Sequence, residues 1–151
     1  MKPGDVAPDF ELLDETGTPR TLSGLLENSP VVLFFYPAAL SAGCTVEACH
    51  FRDLAAEFRA VGAQPVGISH DSVEKQARFA TKHTLGYPLL SDPDGTVREK
   101  YGVKRDLAFS RTKRATFVID TDRRILEVIR SELRMHVHAD RALAVLRARQ
   151  R

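Results

Sequence analysis

The chain has 151 residues, 43% apolar and 28% charged, with a formal net charge of +2. That length predicts one domain, able to bury roughly 68–70% of its unfolded surface. The composition excludes a disordered chain, a collagen-like chain and a coiled coil. The near balance of 22 basic and 20 acidic residues, with no long run of one sign, argues against nucleic-acid binding as the main task. Two cysteines are too few for a disulfide-rich secreted scaffold. Met1-Lys2 is followed at once by Pro3, Gly4 and Asp5, which leaves no apolar core for a signal peptide. The most apolar stretch, VVLFFY at 31–36, falls far short of the ~18 residues of a membrane span. A cytosolic protein without a membrane partner is therefore expected. In a reducing cytosol a permanent structural disulfide is disfavoured, and cysteines are more often buried and inert, metal-binding or reactive.

In chain order, residues 1–30 are polar and broken by prolines and glycines. Phe10–Leu13 and Thr21–Leu26 suggest a small hairpin and one helical turn. Residues 31–36 are continuously apolar, β-branched and aromatic, as in a strand buried on both faces, and Pro37 ends it. From Cys44 to about Ala60 the pattern is helical, with Phe51, Leu54, Ala55 and Phe58 on one face and Gly62 as a stop. PVGIS at 65–69 reads as a second buried strand. Asp71 with Glu74 resembles a capping box, opening a helix whose face is Val73, Gln76, Ala77 and Ala80. SDPDG at 91–95 is a turn and Thr96–Tyr101 a short helix. ATFVID at 115–120 and ILEVIR at 125–130 form a hairpin around Thr121–Arg124. Ala139, Ala142, Leu143 and Leu146 mark a closing amphipathic helix. The order predicts an α/β fold, one domain over 1–151, with a central mixed sheet flanked by helices.

The chemistry concentrates in FFYPAALSAGCTVEACHFRD, residues 34–53. A buried strand leads through Pro37 and a short loop into a helix with Cys44 at its start. Unpaired N–H groups and the positive end of the helix dipole favour a thiolate there. Ser41 can exchange a hydrogen bond beside the sulfur or serve as an N-cap. Glu47, about one turn on, can hold an arginine. Taken alone, a cysteine before a helix is more often a small buried apolar residue than a nucleophile, and Cys49 could be a packed thiol. Arg114 alone would be a solvated charge at a strand end, as Arg111 and Lys113 are expected to be. Cys49-His50 does not follow a zinc spacing, so His50 reads as a solvated helix residue. His136 and His138 read as surface residues of a strand. Asp92 and Asp94 read as turn formers without the other ligands of a calcium loop. Arg141, Arg147, Arg149 and Arg151 read as a solvated basic face.

Pro37, Ser41 and Cys44 satisfy P-x-x-x-[T/S]-x-x-C, and GCTVEAC occupies 43–49. With GDVAPDFEL at 4–12, FRDL at 51–54, YPLLSDPDG at 87–95, YGV at 101–103 and RATFVID at 114–120, the chain resembles the peroxiredoxins over nearly its whole length. More narrowly, it resembles the peroxiredoxin Q or bacterioferritin-comigratory-protein group. The resemblance implies a thioredoxin-like fold with an N-terminal hairpin extension. It implies Cys44 as the peroxidatic cysteine, Cys49 as the resolving one, and Arg114 as the active-site arginine. It departs from the group at Ser41, usually threonine, and at Ala42, usually proline.

The implied reaction is attack of the Cys44 thiolate on a peroxide, giving a sulfenic acid. Cys49 then condenses with it, and an external dithiol such as thioredoxin reduces the disulfide by exchange. Neither a metal nor an organic cofactor is required. A monomer is implied, with a weak dimer as the alternative. Two other readings stand beside this one: a general thiol–disulfide oxidoreductase, weakened by the lack of a C-x-x-C pair, and a redox-controlled sensor or holdase. If a Cys44–Cys49 bond forms, the helix between them must unwind. The expectation is that few apolar contacts hold this segment, because the strong apolar face begins only at Phe51.

Overall fold

A computed structural model describes residues 1–107 and 110–149, and only the backbone at 105–107, 110 and 111. The strands are β1 (Glu11–Leu13), β2 (Pro19–Thr21), β3 (Val31–Phe35), β4 (Gln64–Ser69), β5 (Leu89–Ser91), β6 (Lys104–Leu107), β7 (Ser110–Thr112), β8 (Ala115–Ile119) and β9 (Ile125–Arg130). The helices are α1 (Leu22–Leu25), α2 (Ala42–Asp53), α3 (Ala55–Ala60), α4 (Val73–His83), α5 (Thr96–Lys100) and α6 (Met135–Arg149). Seven strands form one sheet in the order β2-β1-β5-β4-β3-β8-β9, and β6 and β7 form a separate pair. No helix among the described residues is long and apolar enough to cross a membrane.

Strand β3 lies inside the sheet, parallel to β4 and antiparallel to β8. All five of its side chains are buried, which is why its sequence does not alternate. Its two faces feed two cores. Val32 and Phe34 pack with α2, α3, α4 and α6 through Phe51, Phe58, Phe79 and Leu143. Val31, Leu33 and Phe35 pack with α1 and α5 through Leu22, Val97 and Tyr101. The strand period of two thus sorts one apolar run into two layers.

Several expectations change. The helix expected over 44–60 is two helices, broken at Leu54, whose backbone (φ −95°, ψ 13°) departs from helical values. The cap of α4 is not Asp71 but Ser72, whose side chain accepts the Lys75 N–H. Asp71 turns inward instead. Of the expected face of α4, Gln76 is buried and Val73, Ala77 and Ala80 are half-buried, while Phe79 is the other fully buried member. Strand β5 was missed, since three residues are too short to show a period. The β6–β7 pair was missed as well. His136 and His138 lie on α6, not on a strand. Gly62 does end α3, with φ +71°. Arg151 and the Arg111 side chain lie outside what is described.

Candidate active site

The register of the sheet builds the site. Phe35 pairs with Ala115, so the residue preceding β8, Arg114, lies beside the end of β3. The chain leaving β3 runs through Pro37 and a short loop and re-enters the fold as α2. Leu40 in that loop takes a left-handed conformation, φ +67°, at a cost of about 1–3 kcal/mol for a non-glycine residue. The loop is held from outside, because the Ala39 N–H donates to Asp71 Oδ2 at 2.7 Å. Asp71 Oδ2 also accepts from Ser69 Oγ at 2.7 Å, and Lys75 Nζ lies 3.2 Å from Asp71 Oδ1. Gln76 links Ser69 to the Tyr36 hydroxyl and the Leu90 carbonyl. Neither Asp71 nor Gln76 was marked by a sequence motif for this role.

Ser41 is the N-cap of α2, but its side chain makes no capping bond. Its hydroxyl donates to the Ala38 carbonyl at 2.7 Å and so tightens the loop. The first backbone bond of the helix runs from Thr45 N–H to Ser41 O. Helix geometry leaves the N–H groups of Ala42, Gly43 and Cys44 directed out of the helix start. Cys44 is buried and its thiol is free, as is the half-buried thiol of Cys49.

Arg114 joins the two halves. Its Nη2 donates to Cys44 Sγ at 3.3 Å and its Nη1 to Glu47 Oε1 at 2.8 Å. Its backbone N–H donates to Glu132 Oε1. Burial opposes the guanidinium charge, but Glu47 and Cys44 outweigh it and raise its pKa. Burial pushes Glu47 up to about 8, and attraction to Arg114 only partly offsets this. Lys113, next in sequence, is exposed, as expected. Gly43 leaves the site room: a Cβ there would lie 3.2 Å from Met135 Cε and 3.4 Å from Arg114 Nη2, so both side chains would have to shift slightly.

The structure thus brings together Cys44, Glu47 and Arg114. It places Ser41 and Pro37 in the supporting loop and Cys49 further along the same helix. It corrects the histidines. His138 is fully buried, with Nδ1 2.8 Å from Thr116 Oγ1. His50 is half-buried, 2.7 Å from Asp140, and its ring stacks on His136 at 4.1 Å. Asp92 accepts the Val97 and Arg98 N–H groups at the start of α5. No cluster of metal-ligating side chains occurs among the described residues. The segment between the cysteines is also better packed than expected, since Cys44, Glu47 and Ala48 are all buried.

A thiol at a helix start, held by an arginine on a thioredoxin-like sheet, is the arrangement of a thiol-based redox enzyme. The chain matches the AhpC/TSA family over residues 3–128 and belongs to that family. A Mycobacterium tuberculosis protein named as a peroxiredoxin is 63% identical over 150 residues, 98% of this chain and 97% of that one. The chloroplastic peroxiredoxin Q of Sedum lineare is 39% identical over 145 residues, 96% of this chain and 77% of that one. Among solved structures, peroxidoxin BcpB of Mycobacterium tuberculosis superposes with a TM-score of 0.94 at 63% identity, covering 98% of this chain and 97% of that one. Peroxiredoxin Q of Xanthomonas campestris superposes at 0.86 with 30% identity, covering 93% and 91%.

Proposed function

We propose that this thiol-dependent peroxidase works through Cys44 as the nucleophile and Cys49 as the resolving thiol. The observation that carries the reading is the Arg114 Nη2 contact to Cys44 Sγ at 3.3 Å, made by a guanidinium that Glu47 fixes from behind. The thiolate lone pair attacks the terminal oxygen of a hydroperoxide, the O–O bond breaks, and its electrons leave on the distal oxygen. That oxygen takes up a proton and departs as water or alcohol. Sulfur is oxidised to the sulfenic acid and the peroxide is reduced. Arg114 and the N–H groups at the start of α2 stabilise the charge shifting between the oxygens.

The Cys49 thiol then attacks the sulfenic sulfur, an S–S bond forms, and water leaves. An external dithiol, thioredoxin being the first choice, regenerates both thiols by two exchange steps. Every reacting thiol of the protein in this scheme comes from one chain, which fits a monomer, with a weak dimer as the alternative. The coupled assay with thioredoxin, thioredoxin reductase, NADPH and hydrogen peroxide tests it. NADPH consumption is expected only when peroxide is present and is lost in Cys44→Ser. Peroxide-independent reduction of insulin disulfides would instead mark a general oxidoreductase. Suppression of client aggregation without turnover would mark a holdase.

A further inference from the structure

We propose that His138, buried beneath the site, is a positioning residue that acts through Glu47 to hold Arg114 against Cys44. The inference rests on the role of Cys44 given above and adds a residue that does not touch the sulfur.

Glu47 has two carboxylate oxygens and no solvent exposure. Oε1 accepts from Arg114. Oε2 has no hydrogen-bond partner among the described residues, an expensive state for a buried acceptor. His138 Nε2 lies 3.6 Å from it, too long for a hydrogen bond but close enough for the ring dipole to act on that oxygen. The state of that nitrogen follows from its neighbours. Nε2 lies 2.9 Å from the Ser131 carbonyl oxygen, which can only accept, so Nε2 carries a proton. Nδ1, 2.8 Å from Thr116 Oγ1, then accepts from the hydroxyl when the ring is neutral. Burial, with the Arg114 charge adding to it, lowers the His138 pKa and favours that neutral ring.

The Ser131 carbonyl therefore fixes a protonated ring nitrogen, and that nitrogen lies 3.6 Å from Glu47 Oε2. The positive edge of the ring favours an ionised oxygen there over a protonated one. With burial raising Glu47 to about 8, the polar groups facing the carboxyl bear on how much of it is ionised near neutral pH. The other charged or titratable groups near the carboxylate are Cys44 on its own helix, Arg114 ahead of β8, Glu132 between β9 and α6, and Tyr87 before β5. Of these, only Arg114 supplies a cation, and it is already committed to Oε1 and Sγ. His138 keeps Glu47 in the form that grips Arg114, and Thr116 and Ser131 keep the ring in place.

The test compares His138→Leu, which fills the space without a donor, with His138→Gln, whose amide nitrogen lies near the position of Nε2. Two rates are measured on the reduced protein: alkylation of Cys44 by iodoacetamide from pH 4.5 to 8.5, and sulfenic acid formation with hydrogen peroxide. His138→Leu is expected to move the acid limb of the alkylation profile to higher pH. It is also expected to slow the peroxide reaction by a few-fold, up to about tenfold, which is about 1.4 kcal/mol of barrier. His138→Gln is expected to restore most of both. If the Leu variant does not fold, Thr116→Val, which only frees Nδ1, is expected to shift the profile in the same direction by less. Wild-type profiles in folded Leu and Thr116→Val variants would overturn the proposal. So would equal impairment of the Leu and Gln variants. Unreactive Cys44 in the wild-type protein would overturn the reading of the site itself, an outcome the alkylation arm distinguishes from failure of the His138 proposal alone.

Discussion

Asp71 reaches across 32 residues of sequence to accept the Ala39 N–H at 2.7 Å, so the loop carrying Leu40 and Ser41 is fixed by a side chain from the β4–α4 connection. Asp71→Ala leaves that buried N–H and Ser69 Oγ without their acceptor, a loss of about 1–3 kcal/mol. The strained Leu40 conformation then has less to hold it. A lower denaturant midpoint and a slower peroxide reaction are both expected. A variant with wild-type stability in urea would refute this assignment.

Arg114→Ala removes the guanidinium contact to Sγ while leaving the sheet intact. Loss of one well-aimed donor to a developing charge typically costs about 10²–10³ in rate. Rapid-quench measurement of sulfenic acid formation is expected to show that loss, with unchanged far-ultraviolet circular dichroism. Lys113→Ala, at the exposed neighbour, is expected to react as the wild type does.

Glu47→Gln separates activity from stability. In the folded chain Glu47 is raised to about 8 by burial, whereas an unfolded glutamate titrates near 4.3. As pH rises between those values the unfolded state ionises first, so the native state binds more protons and loses stability. Glutamine has no such penalty. The variant is expected to gain melting temperature over the wild type progressively from about pH 4.5 to about pH 8, while reacting more slowly with peroxide. A melting-temperature difference that shrinks as pH rises would contradict the raised value.

Cys44 and Cys49 lie five residues apart, about 7.5 Å of rise and about 140° of rotation on a helix. A disulfide needs Cα atoms roughly 4.4–6.8 Å apart. Oxidation is therefore expected to raise amide exchange from Thr45 to His50, read by peptide mass spectrometry. The Tyr87 hydroxyl donates to the Ala48 carbonyl at 2.7 Å, a bond that belongs to the wound state. Tyr87→Phe is expected to speed disulfide formation about two- to tenfold, one hydrogen bond's worth, and to reduce over-oxidation at high peroxide. Unchanged rates would show that Tyr87 does not hold the segment closed.

The parts legible in the sequence are those fixed by local pattern. VVLFF at 31–35 announces a doubly buried strand, and Cys44 stands out through the P-x-x-x-[T/S]-x-x-C pattern around it, its place at a helix start being weak evidence alone. Glu47 could be paired with an arginine because one helical turn separates it from the thiol. The roles of His138, Asp71 and Gln76 were not legible: Gln76 falls on the expected helix face, but no local pattern tells which polar groups each of the three meets inside. Each has at least one decisive partner 14 or more positions away: Thr116 for His138, Ala39 for Asp71, and Leu90 for Gln76. Ser41 was half legible: its place as N-cap follows from the pattern, but the direction of its hydroxyl depends on the loop turning back at Ala38. The packing of Ala48 and Glu47 against the core depends on where α6 docks, which periodicity along α2 alone does not reveal.

The break at Leu54 bears on how the enzyme resets. Phe58 on α3 is buried and its ring packs near Phe51, 5.8 Å away. That anchor keeps the C-terminal end of α2 beside an intact helix when residues before it open. Starting a helix from coil is unfavourable by a factor on the order of 10⁻³, whereas adding residues to an existing turn is close to neutral. Every backbone hydrogen bond along α2 has a partner within 45–50, and the break at Leu54 separates α3 from it. In the proposed cycle the thiol-activating helix start is therefore recovered by a new nucleation, with Phe51 held against Phe58 as the fixed end of the segment.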